Sequence, residues 1–137
     1  MAKGDICYTV ICKTINWDKK RGLSKGELVV GDLSIIRDFL DVRDVVSAYY
    51  LLLHEGKKGE IYNVCSGRGI SLKEIIDLMA KSLNIDIITK VNEELIRPDD
   101  NRIIIGSNEK IKKELAWEAK YDLHRSFDDM LEYWNNR

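Results

Sequence analysis

The chain has 137 residues, 45% of them hydrophobic, which is enough for one domain with a sizeable core. Its 22 basic residues balance 23 acidic ones for a net charge of -1, so no global field recruits nucleic acid or an anionic membrane. The apolar runs fall far short of the roughly 20 residues that span a bilayer, no charged-then-apolar signal opens the chain, and three cysteines without CxxC spacing suit reduced thiols; together these predict a cytoplasmic protein.

Asp5 to Trp17 is apolar at Ile6, Val10, Ile11 and Ile15 and predicts a first helix. Residues 18–26 carry Lys19, Lys20, Arg21 and Lys25 among glycines and read as a solvated loop, so 1–27 has no clear assignment within the single domain 1–137. Leu28 to Val30 predicts an apolar strand that turns at Gly31 and Asp32. The hydrophobic run that follows is interrupted by Arg37 and Asp38. A guanidinium among apolar neighbours needs an anion, which Asp38, Asp41 or a bound ligand could each supply. From Val42 to Leu53 the pattern predicts a helix burying Val42, Val45, Val46, Tyr49, Leu52 and Leu53, and Ala48, Tyr50 and Leu51 widen the stripe until the helix should be sandwiched.

Gly56 and Gly59 bracket a lysine turn, after which Glu60 to Cys65 reads as a short buried strand ending at Ser66-Gly67-Arg68-Gly69. Ser71 and Glu74 stand at capping-box spacing, opening a helix with Ile75, Ile76, Leu78, Met79 and Leu83 on its buried face. Strand, glycine turn and helix make an α/β unit. Asp86 to Val91 predicts another strand, the single proline fixes a turn at Arg97-Pro98, and Ile103 to Ile105 predicts a third short strand. Two amphipathic helices close the chain, Asn108 to Trp117 and Leu123 to Trp134, with Asp122 as N-cap of the second.

Little of this carries chemistry by itself. Gly67-Arg68-Gly69-Ile70-Ser71-Leu72 supplies two of the three glycines of the dinucleotide pattern and reads as a structural turn. His54 and His124 lack a flanking carboxylate or cysteine constellation and read as surface residues. Trp117, Trp134, Tyr121 and Tyr133 fall at helix ends with packing intervals, as core anchors rather than a base-stacking platform.

Three segments taken in order point further. Val-Gly-Asp-Leu-Ser-Ile-Ile-Arg-Asp-Phe-Leu-Asp-Val-Arg-Asp-Val-Val-Ser-Ala-Tyr from Val30, Gly-Glu-Ile-Tyr-Asn-Val-Cys-Ser-Gly over 59–67, and Arg97-Pro98-Asp99-Asp100 resemble the C-terminal part of extended short-chain dehydrogenase/reductases acting on nucleotide sugars. Within that superfamily the likeness is greatest to GDP-6-deoxy-D-lyxo-4-hexulose reductases and GDP-mannose 4,6-dehydratases, over roughly residues 28 to 135. The resemblance implies an α/β fold: a C-terminal substrate-binding lobe of short strands and packed helices that lacks most of the Rossmann domain. It implies that Arg37 and Arg97 contact the diphosphate of the nucleotide sugar, where a planar fork makes paired charge-assisted bonds. It also implies that the backbone at Val30 and Gly31 lies along the nucleoside, while Asn63 matches a motif asparagine that either touches ligand or ties down its loop.

The resembled enzymes use NADP(H) or NAD(H) and a Tyr-x-x-x-Lys pair. Four residues after Tyr8, Tyr49, Tyr50, Tyr62, Tyr121 and Tyr133 stand Cys12, Leu53, His54, Ser66, Arg125 and Arg137, so the pair is absent and the chain by itself should neither bind the cofactor nor catalyse. Ala116 and Ala119 replace the glycine and proline of the family's Gly-Trp-x-Pro, which predicts a differently built last turn. The expected function is therefore binding of a nucleotide sugar, with a GDP-sugar foremost. The expected partner is a second copy or a chain supplying the Rossmann half. The alternatives are a non-catalytic nucleotide-sugar-binding or protein-interaction module.

Overall fold

The computed structural model describes residues 25–96 and 100–135, of which 134 and 135 are described in backbone only. The first helix expected over Asp5 to Trp17, most of the 18–26 loop, and the Arg97-Pro98 turn lie outside these residues. In chain order the elements are β1 (Lys25–Val30), β2 (Ile36–Asp38), α1 (Val42–Glu55), β3 (Gly69–Ser71), α2 (Leu72–Leu83), β4 (Asp86–Val91), β5 (Ile103–Ile104), α3 (Glu109–Leu115) and α4 (Leu123–Asn135). β1 thus begins at Lys25, inside the stretch expected to be loop.

β1 pairs in parallel with β4, from Lys25 opposite Asp86 to Val30 opposite Val91. A second sheet has β2 in the middle, antiparallel to β3 and parallel to β5. The capping box forms as its spacing requires: the Ser71 N–H donates to Glu74 Oε2 at 2.8 Å, and the Glu74 N–H donates to Ser71 Oγ at 3.2 Å. α2 is therefore anchored at its start, and it buries Ile75, Ile76 and Met79 against Leu28 of β1 and Phe127 of α4, with Leu78 and Leu83 half-buried around them. Asp122 caps α4, accepting the Arg125 N–H at 2.8 Å.

A second cluster joins Ala48, Ile111 and Trp117, flanked by Leu51, Leu52, Tyr62 and Val64. Here two expectations fail for related reasons. α1 buries Asp44 and Ala48, whereas Val42, Val46, Tyr49, Tyr50 and Leu53 are exposed, Leu53 to 85%. The second cluster covers one face of the helix, and the opposite stripe has no covering element among the described residues. Glu60 to Cys65 forms no strand. Its burial still alternates as in an extended chain, with Tyr62 and Val64 half-buried, Ile61 82% exposed and Asn63 exposed, but a strand needs a ladder partner and none lies beside it among the described residues. α3 is shorter than expected: Asn108 makes no side-chain cap, and Ala116 ends the helix in the left-handed region.

Candidate functional site

Arg37 is the middle residue of β2, opposite Ile70 on one side and Ile104 on the other. Its guanidinium donates through Nη1 to the carbonyls of Ile36 at 2.9 Å and Arg102 at 3.5 Å, and through Nη2 to Asp100 Oδ1 at 2.7 Å. Neither Asp38 nor Asp41 is its partner, and alternation along a strand gives the reason for Asp38, since successive side chains leave on opposite faces. Asp41 is occupied elsewhere, as the N-cap of α1 and the partner of Arg43.

The end of β1 is held close to the connection after β4. The Val30 carbonyl accepts the Asn92 N–H at 2.8 Å. Gly31 lies so near the short 3-10 turn Glu93–Leu95 that a Cβ on it would sit 2.8 Å from the Leu95 carbonyl oxygen, which explains why a side chain is missing there. Asp32 then closes an Asx turn by accepting the Ser34 N–H at 2.8 Å and its hydroxyl at 2.6 Å. These two bonds, with a smaller contribution from nearby Arg102, hold the Asp32 carboxyl below the ordinary range. Val30 and Gly31 thus lie against the connection after β4 and Arg37 against the segment entering β5, while Arg97 lies outside the described residues.

Asn63 does not tie down its loop. It is exposed, and its side chain makes no hydrogen bond among the described residues. That work falls to two residues the sequence reading passed over. Asp38 accepts the Ser66 N–H at 2.8 Å and hydroxyl at 2.6 Å, the Gly67 N–H at 2.9 Å and the Gly106 N–H at 3.3 Å. Asn108 donates to the carbonyls of Cys65 and Ser66 at 2.9 and 3.0 Å. Gly67 makes the turn possible, with φ of +75° beside Asn108. The signal was present in Arg37-Asp38: once the arginine takes one face of the strand, the aspartate faces the loop on the other. Burial first, and the Asp38 charge second, push the Cys65 thiol up; Cys7 and Cys12 lie outside the described residues.

No dinucleotide cradle fits at Gly67 to Leu72. Gly69–Ser71 is spent as β3, and the Glu74 carboxylate sits at the start of α2, where a pyrophosphate would have to lie. Trp117 is a buried core anchor donating through Nε1 to Ser47 Oγ at 3.0 Å, and Tyr121 lies under the Arg43 guanidinium at 3.8 Å. Tyr133, expected in the core, is half exposed, and the Trp134 side chain lies outside the description. His54 and His124 are on the surface, and no group of acidic, histidine or cysteine residues among the described residues could hold a metal ion. No helix among the described residues is long and apolar enough to cross a membrane.

The family model for GDP-mannose 4,6 dehydratase matches residues 8–130. The chain belongs to this family. GDP-6-deoxy-D-mannose reductase of Pseudomonas aeruginosa is 35% identical over 118 residues, covering 86% of this chain and 39% of the reductase. A solved structure of RMD from Pseudomonas aeruginosa complexed with NADPH superposes with a TM-score of 0.83 at 30% identity, covering the whole of this chain and 44% of that one. UDP-glucose 4-epimerase from Thermotoga maritima, solved with UDP-glucose, gives a TM-score of 0.73 at 28% identity over 81% of this chain and 35% of its own. The fold is thus a mixed α/β part of an extended short-chain dehydrogenase/reductase, and the chain spans about two-fifths of the length of the reductase relatives it matches.

Proposed function

We propose that this chain is the nucleotide-sugar-binding portion of a family enzyme, taking a GDP-sugar and contacting its diphosphate through Arg37 and Arg97. The observation that carries the reading is Arg37 itself, a partly exposed cation held on the middle strand of a sheet and opposed by one carboxylate, Asp100. Val30 and Gly31 would lie along the nucleoside, with Asn63 exposed for a further contact. The family reaction moves a hydride between NADP(H) or NAD(H) and a 4-keto hexose nucleotide. This chain lacks the Tyr-x-x-x-Lys pair for proton transfer at every tyrosine, so by itself it binds without turning over, in a cytoplasmic setting.

A second reading, an interaction module, is favoured by the exposed stripe Val42, Val46, Tyr49, Tyr50 and Leu53 together with Ile61. A patch of that kind is seldom left open on a stable monomer. Its occupant would be a second copy or a chain supplying the cofactor-binding half.

Calorimetric titration with GDP tests the first reading. Binding should be weak, and Arg37→Ala or Arg97→Ala should each weaken it by about 1–3 kcal/mol, the worth of a charge-assisted bond. Equal affinity in wild type and both variants would remove these arginines from the site.

A further inference from the structure

We draw no further inference here: the strongest candidate, the exposed apolar stripe Val42, Val46, Tyr49, Tyr50 and Leu53 on α1 with the extended segment Glu60 to Cys65 that follows it, is the docking face already read above, and nothing in the structure shows what covers it.

Discussion

The Asp44 carboxylate, on α1, accepts the backbone N–H of Tyr121 at 3.0 Å across 77 positions of sequence. Its other oxygen accepts the Lys120 N–H, also at 3.0 Å, and the residue is 1% exposed. An aspartate in the first turn of a helix is favoured by the helix dipole, and here it also pins the connection between α3 and α4 to the helix that follows β2.

Removing that carboxylate strands two backbone donors. Asp44→Ala should destabilise the fold by about 2–4 kcal/mol, and Asp44→Asn by less, since one acceptor survives. Urea unfolding at neutral pH measures both, and a loss below about 0.5 kcal/mol for the alanine variant would mean that water replaces the contact.

Acid should find a second weak point at Asp41. Hydrogen bonding from Arg43 lowers its carboxyl from 3.8 to about 2, against the cost of burial and with help from the Ser126 hydroxyl. A depressed folded-state value stabilises the fold above the unfolded value and is lost as pH falls through the folded one, so this contribution of about 2 kcal/mol should fade between about pH 4 and pH 2. Asp41→Asn should be less stable at neutral pH, and its deficit should narrow over that window. A deficit independent of pH would assign the effect to packing.

Ala116 ends α3 with φ of 52° and its N–H on the Lys112 carbonyl at 2.9 Å. Alanine thus occupies a left-handed position that favours glycine. Ala116→Gly should raise stability by about 1 kcal/mol, the left-handed penalty less the added chain entropy, as a rise in thermal midpoint. No rise would show the strain relieved elsewhere.

How far these features were legible from sequence depended on whether their cause was local. The capping box at Ser71 and Glu74, the Asp122 cap, and the Ile75, Ile76 and Met79 face of α2 all follow from spacings within one helix, and they form as read. The buried face of α1 was misjudged because apolar periodicity cannot recognise a carboxylate that is buried by bonds to residues 76 and 77 positions away. Glu60 to Cys65 has a strand's alternation, but a ladder depends on a neighbour. At the site, Arg37 was legible as a cation needing an anion. Asp100 as that anion was not, since 63 positions separate them and only the parallel pairing of β2 with β5 joins them.

The uncovered stripe on α1 leads to a further expectation. Leu53→Glu and Tyr49→Asp lie on exposed positions and should leave unfolding free energy within about 0.5 kcal/mol of wild type. If the stripe seats a second copy, both should shift light scattering at high micromolar concentration from dimer to monomer. A wild-type chain that is already monomeric there would discard self-association.

The claim on which the account turns is that a nucleoside diphosphate settles between the β1 turn and Arg37. Amide chemical-shift mapping during a GDP titration tests it most directly. The account predicts saturable shifts at 28–31, 36–37 and 100–104 that vanish in Arg37→Ala. Shifts confined to α2 and α4, or a titration that moves no amide at β1, β2 or β5, would contradict it.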